Sequence, residues 1–357
     1  MENEISRRKF LTISSLATLG LTIVDSQLMA KSLLKPNSKF GGVQIGVITY
    51  SFRSMPHDVD QLINFCLESN ISAIEMMGDP AEEFAGKPKA PFRMGPPAGG
   101  PPRGPQAAGG PPPAGAPAPG QGPGPGQRPQ MTDEQRKQMA EYGKQVAEWR
   151  ATVSMDKFAE VGKKFKKAGI KIYAFKPNAF GANNSDVEVE YGMRAAKALG
   201  ATSVTVELPT DPAQTKRLGD LGAKHQVYVG YHAHLQATDT LWDEALAQSP
   251  YNSLNLDCGH YIAVGGTNTK ESLLALIQAK HDRITSMHIK DRTNKAHGSG
   301  NLAWGSGDTP IKEILLLMKE KGYKFPASIE LEYEIPPGSN AIIEVGKCVL
   351  FAKNILA

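Results

Sequence analysis

The sequence predicts a (β/α)8 barrel, and three observations carry that expectation. From residue 43 to the C-terminus, short runs rich in β-branched residues alternate with amphipathic segments, and there are eight such pairs, the count of that barrel. The runs are nearly continuous in apolar residues, as strands of a parallel sheet buried on both faces must be. No G-x-G-x-x-G turn follows any of them, which removes the main reason to prefer an open doubly wound sheet.

Taken in order, strands are expected at 43–48, 71–76, 170–175, 202–208, 227–231, 253–257, 284–289 and 328–333. The helices between and after them fall near 58–69, 154–168, 186–198, 211–224, 239–248, 270–280, 309–321 and 339–355. Only the second unit breaks the spacing, because residues 77–153 separate its strand from its helix. Fifteen of the 26 prolines fall between Gly86 and Gln130, in a stretch with almost no charge and no strict G-x-y period. A disordered, partly polyproline insertion is therefore expected over 86–131, and not collagen. Beyond it, Thr132 and Gln135 have the spacing of a capping box for an extra helix reaching about Trp149. An insertion that leaves the C-terminal end of a barrel strand emerges on the face where barrel active sites lie. It is read either as a mobile lid or as a tolerated loop, the second being the commoner case. With it set aside, residues 40–357 read as one barrel domain of ordinary globular composition.

The N-terminal 30 residues do not belong to that domain. Ser6-Arg7-Arg8-Lys9-Phe10-Leu11 leads into an apolar run from Phe10 to Val24, then a polar step at Asp25 and a small residue at Ala30. A basic start, adjacent arginines followed by Phe-Leu, and a short apolar segment read as a signal for the twin-arginine translocation machinery, with cleavage after Ala30 and a periplasmic destination. The apolar run is shorter than the roughly 20 residues needed to span a bilayer, so no membrane span is expected after processing. The competing reading is an uncleaved N-terminal anchor, since Leu28 fits poorly before the cut.

Composition excludes other classes. Lys+Arg 40 against Asp+Glu 36 gives a net charge of +4, too balanced to argue for nucleic acid as the partner. The three cysteines, Cys66, Cys258 and Cys348, form neither a disulfide framework nor a CxxC metal site, and read as small buried hydrophobes. Nothing in the sequence decides for or against a homo-oligomer.

Ionisable groups gather where a barrel core should simply end in water. The fourth run ends Thr205-Val206-Glu207, the fifth Tyr231-His232-Ala233-His234, and the sixth Asn255-Leu256-Asp257-Cys258-Gly259-His260. The seventh ends Met287-His288-Ile289-Lys290-Asp291, and the eighth carries Ile329-Glu330-Leu331-Glu332. Alternate residues of a strand share a face, so His232 with His234, His288 with Lys290, and Glu330 with Glu332 point the same way. Singly, each has a bland structural use, as have Glu75 on the second run and Lys176 after the third. If those faces look into the barrel mouth, imidazoles and carboxylates from five consecutive strands converge on one point. Such oxygen and nitrogen donors without thiolate suit Mn2+, Mg2+, Co2+ or Zn2+ in a site open to substrate.

These motifs resemble those of the xylose-isomerase-like barrels, the superfamily of sugar phosphate isomerases and epimerases, ketose epimerases, inosose dehydratases and apurinic endonucleases. The resemblance rests on Asp257-Cys258-Gly259-His260, His288-Ile289-Lys290-Asp291, Tyr231-His232-Ala233-His234 and Ile329-Glu330-Leu331-Glu332, and on Gly305-Ser306-Gly307-Asp308 as the Gly-rich turn before the seventh helix. It spans about residues 43–357 without the insertion. It implies a metal held by Asp257, His288 and Glu330. The fourth ligand position, a glutamate in ketose epimerases, falls on His232; His234 or Glu207 could serve instead, and a register slip from Glu330 to Glu332 stays open.

The implied chemistry is proton abstraction beside a carbonyl through a metal-bound enediolate. Glu207 or Glu330 is cast as base, His260 and His234 as hydroxyl contacts or acid, and Lys290 as electrostatic stabiliser, with Glu75, Lys176 and Glu332 lining the substrate site. Isomerisation, epimerisation and loss of a β-leaving group, as in a keto-glycoside lyase or dehydratase, all remain open on such a site. Export favours a non-phosphorylated carbohydrate over a sugar phosphate. Two rivals carry different signatures. An apurinic endonuclease needs further ligands on the third and fourth strands, where Phe175-Lys176-Pro177-Asn178 offers no histidine, and a basic surface. An exported sugar-binding protein without catalysis would keep the pocket and dispense with the metal.

Overall fold

Eight parallel strands close on themselves around a common axis. The structure, a computed structural model, describes residues 35–56, 58–92 and 131–357. The expected export signal and residues 93–130 of the insertion lie outside the described residues. The strands are β1 (Val43–Ile48), β2 (Ala73–Met77), β3 (Lys171–Lys176), β4 (Ser203–Glu207), β5 (Tyr228–His232), β6 (Asn252–Asp257), β7 (Ile284–Ile289) and β8 (Ala327–Ile329). Each pairs in parallel with its neighbours in sequence. β8 closes the ring against β1, with Ser328 opposite Gly46, and β1 pairs in turn with β2, with Ile48 opposite Glu75.

The helices are α1 (Val59–Glu68), α2 (Gly78–Phe84), α3 (Asp133–Thr152), α4 (Asp156–Ala168), α5 (Asp186–Leu199), α6 (Pro212–His225), α7 (Asp243–Gln248), α8 (Cys258–Val264), α9 (Lys270–Lys280), α10 (Ile311–Lys321) and α11 (Ala341–Leu356). Capping boxes start α1 at Asp58, α3 at Thr132 and α5 at Ser185, each closed by the side chain three residues on. The main core lies between strands and helices, where Val47, Ile74, Phe158, Phe165, Phe175, Leu254, Ile314 and Val345 are buried.

Two features depart from the sequence expectation. The eighth strand stops at Ile329 instead of running to residue 333. Its backbone is taken over by side chains from the turn after β1: the Ser51 hydroxyl donates to the carbonyl of Ile329 and accepts from the N–H of Leu331, and Arg53 donates to the carbonyl of Leu331. The segment bearing Glu330 and Glu332 is thus tied to β1 by these bonds. Second, α2 and α8 are short helices that follow β2 and β6 directly, too brief to leave a periodic signal. Among the described residues no helix is long and apolar enough to cross a membrane.

Candidate active site at the C-terminal mouth

The sixth strand ends by splitting the work of one carboxylate. Asp257 Oδ1 accepts the backbone N–H of His260 at 2.7 Å and so caps α8, while Oδ2 is turned toward His288 and Lys290. On β7, Nδ1 of His288 lies 3.2 Å from Glu330 Oε2 and 4.0 Å from Asp257 Oδ2. Asp257 Oδ2, His288 Nδ1 and Glu330 Oε2 are all buried, and none of them makes a well-aligned hydrogen bond. Lys290 stands at ion-pair distance from both carboxylates, 3.0 Å from Asp257 Oδ2 and 2.8 Å from Glu330 Oε2, but its directed hydrogen bond goes to Glu332 Oε2 at 2.7 Å.

Deeper in the barrel, a polar network fixes which nitrogen each histidine presents. Glu75 Oε2 lies 2.9 Å from His288 Nε2 and accepts from the Asn255 amide nitrogen at 3.0 Å. The carboxylate accepts the Nε2–H, so Nδ1 is the nitrogen turned to the mouth, and it offers a lone pair once it has given up its own proton. Asn255 also donates to Ser286 at 2.8 Å, which leaves its Oδ1 to accept from His232 Nδ1 at 3.0 Å. His232 therefore presents Nε2. Donor atoms of His232, Asp257 and His288 lie within 4.8 Å of one another. Drawn from buried residues and this close together, these atoms fit a divalent cation with oxygen and nitrogen ligands. Cys258, although adjacent in sequence, is turned into the core, so no thiolate joins them.

The charges respond to this crowding. Burial pushes the Asp257 carboxyl up to about 6 against the pull of Lys290. Burial alone would depress His288, but the Glu75 and Glu330 carboxylates on either side raise it to about 10. Burial opposes ionisation of Glu330 too, yet Lys290 and His288 hold it well below the usual carboxylate range. Burial keeps His232 neutral, helped by the charges of His288 and Lys176.

Around this centre runs a rim of polar groups. Lys176 Nζ donates to Glu207 Oε1 at 2.9 Å, and Glu207 Oε2 lies 3.6 Å from His234 Nδ1. The His234 ring packs edge-on against both His232 and His260, at centroid distances of 4.8 and 4.6 Å. His260 Nδ1 lies 2.6 Å from Arg292 Nη1. A guanidinium can only donate, so Nδ1 is the acceptor and the neutral ring carries its proton on Nε2, which is buried and unpartnered. Burial, Lys290 and Arg292 together push His260 down to about 2.

All the residues singled out in the sequence come to this one mouth, but not in equivalent positions. Asp257, His288, Glu330, His232 and Lys290 form the buried centre, with Glu330 rather than Glu332 facing His288. Glu207, His234, His260, Lys176 and Glu332 lie around it. Glu75, read in the sequence as a substrate contact, has no exposed surface and faces His288 and Asn255 instead. Asn255 and Arg292 were not singled out. Asn255 had a signal, since alternation puts it on the same face as Asp257. Arg292 had none, because its reach to His260 depends on the short hairpin Asp291–Arg292 with Asn301–Leu302. The Gly-rich turn has a structural task as well: Asp291 Oδ2 accepts the N–H groups of Gly305, Ser306 and Gly307 at 2.8, 3.0 and 2.9 Å, anchoring the loop after β7.

Residues 136–347 match the family described as xylose isomerase-like TIM barrel. No curated protein matches the sequence. Among solved structures, the chain is similar to the probable 3-DHS dehydratase AsbF of Bacillus anthracis, at 14% identity and a TM-score of 0.54, covering 86% of this chain and 98% of that one. It is also similar to a sugar phosphate isomerase/epimerase of Parabacteroides distasonis, at 14% identity and 0.53, covering 88% and 96%. A third is the 3-keto-D-glucoside 4-epimerase YcjR of E. coli, at 11% identity and 0.52, covering 87% and 99%. At such identities the likeness is one of fold.

Proposed function

We propose that this chain, which belongs to the xylose isomerase-like TIM barrel family, is a divalent-metal-dependent sugar isomerase or epimerase. Its reaction would be proton abstraction beside a carbonyl. One observation carries the reading: two carboxylate oxygens and an imidazole nitrogen, Asp257 Oδ2, Glu330 Oε2 and His288 Nδ1, are buried and turned toward each other at the mouth, with Nδ1 4.0 and 3.2 Å from the two oxygens. Oxygen and nitrogen donors gathered this closely at the end of a barrel suit a divalent cation.

Asp257, His288 and Glu330 would hold that cation, with His232 Nε2 as the fourth protein donor. Bound there, a divalent ion supplies Lewis acidity to a sugar carbonyl and its neighbouring hydroxyl. The rest falls to the chain. Because Glu330 is committed to His288 and Lys290, Glu207 is the carboxylate left at the rim to act as base, with Lys176 orienting it through Oε1 and His234 beside it to pass the proton on. His260 Nε2–H donates to a substrate hydroxyl. Lys290, backed by Glu332, stabilises the oxyanion that develops on the substrate.

The substrate class is a free sugar or keto-sugar. The twin-arginine reading of residues 1–30 puts the enzyme in the periplasm, away from the cytosolic phosphorylated sugars. The rim cations are also committed, Lys176 to Glu207 and Arg292 to His260 and the Ser299 carbonyl.

The test is incubation of the Mn2+-loaded protein in D2O with a panel of ketoses, aldoses, 3-keto-glycosides and sugar phosphates. Deuterium incorporation that is lost in Asp257→Asn supports the reading, and the product distinguishes isomerase from epimerase or lyase. Absence of exchange with every compound would point to a binding protein, and turnover of phosphorylated sugars alone would overturn the substrate class.

A further inference from the structure

The carboxylates that would hold a metal already face a cation. Lys290 lies two residues beyond His288, and its ammonium sits among three carboxylates, 3.0 Å from Asp257, 2.8 Å from Glu330 and 2.7 Å from Glu332. Its side chain is 3% exposed. The fold makes room for it: a Cβ on Gly259 would lie 2.7 Å from the Lys290 carbonyl oxygen and would also strike its side chain.

We propose that Lys290 is a displaceable counter-ion of the metal site. In the metal-free chain it neutralises the Asp257–Glu330 pair, and on entry of a divalent cation it withdraws to Glu332. The proposal rests on the metal reading above. A divalent ion ligated by Asp257 Oδ2 and Glu330 Oε2 cannot share those atoms with an ammonium at under about 3 Å without strong repulsion. Glu332 offers the lysine a destination: it accepts the directed hydrogen bond already, and its side chain, 24% exposed, lies nearer the solvent than Glu330, at 8%. The flexible four-carbon stem of lysine permits the move. Because the carboxylates are never left bare, the barrel stays folded while unloaded. A singly charged ion gains little by expelling an ammonium, so the device selects for divalent ions.

The experiment is calorimetric titration of the full chain with Mn2+, followed by thermal melting with and without the ion. Lys290→Met should bind Mn2+ at least about tenfold more tightly than the wild type, while its metal-free melting temperature falls. Glu332→Gln should bind several-fold more weakly, yet change affinity by less than about twofold when placed on Lys290→Met, because the lysine that needs Glu332 is gone. Wild-type binding with unchanged or weaker binding in Lys290→Met overturns the exchange and leaves the metal reading standing. Absence of binding in the wild type and in Lys290→Met overturns both. If Lys290→Met does not fold, Glu332→Gln decides: unchanged affinity there overturns the proposal.

Discussion

Glu75 Oε2, on β2, lies 2.9 Å from Nε2 of His288, on β7, across the inside of the barrel. Through Asn255 the same oxygen also sets the ring of His232. One carboxylate with no access to solvent therefore decides which nitrogen two histidines present to the mouth.

Glu75→Gln tests that relationship. A glutamine is nearly isosteric but donates as readily as it accepts, so His288 loses the partner that fixes its tautomer. Removing such an outer partner of a ligating histidine typically costs about 10- to 100-fold in metal affinity. Calorimetric titration with Mn2+ should show a loss of that size with the fold intact by circular dichroism. An affinity equal to the wild type would mean that Glu75 does not orient His288.

Arg292→Gln addresses the rim. Arg292 donates to His260 Nδ1 at 2.6 Å and is held in turn by the Ser299 carbonyl at 2.6 Å. Without the guanidinium, the proton of His260 is no longer confined to Nε2, and the ring protonates at higher pH. Histidine nitrogen resonances should show a single Nε2–H tautomer in the wild type and a mixture in the variant. Losing a hydrogen bond to a charged group costs roughly 1.5–3 kcal/mol, or about tenfold or more in kcat/KM for the proposed substrate class. An unchanged tautomer would place the control elsewhere.

Gly259→Ala probes how tightly the lysine is seated. The added methyl meets both the backbone and the side chain of Lys290. Overpacking at such a place costs about 1–3 kcal/mol, to be read as a lower melting temperature, and it should raise Mn2+ affinity in the same direction as Lys290→Met. A melting temperature equal to the wild type would show that the loop yields without strain.

The sequence made the barrel legible because each strand is a short apolar run and each helix a periodic one. Strands β1 and β7 begin and end where the runs do. Asp257, His288, Lys290 and Glu330 stood out by alternation, since several polar residues gathered on the inward faces of neighbouring strand ends are harder to explain jointly than singly. Glu75 was visible but not its task, because a contact between residues 75 and 288 exists only once the ring has closed. The short eighth strand was hidden for the same reason: Ser51 and Arg53 take over its backbone bonds, and nothing local announces them.

The return of the chain from the insertion is secured by a buried ion pair, and its pH dependence can be predicted. Arg150, near the end of α3, donates to Glu188 on α5 at 2.8 Å and to the Asn178 carbonyl at 2.6 Å. Glu188 further accepts from the Ser185 N–H and the Asn184 amide, both at 2.9 Å. Burial opposes its ionisation, but these donors, with Ser185 foremost, lower its pKa below the usual value. A depressed carboxyl stabilises the fold at pH above its unfolded value of roughly 4.3 and loses that contribution as pH falls through the folded value. Glu188→Gln removes the charge and leaves Arg150 buried without its counter-ion, at a cost of about 3 kcal/mol at pH 7. The melting temperatures of wild type and variant should therefore differ most at neutral pH, and the gap should begin to narrow as pH falls below about 4.3 and go on narrowing through the folded value. A gap that stays constant from pH 7 to pH 3 would show that the hydrogen bonds, and not the charge, hold α3 to α5.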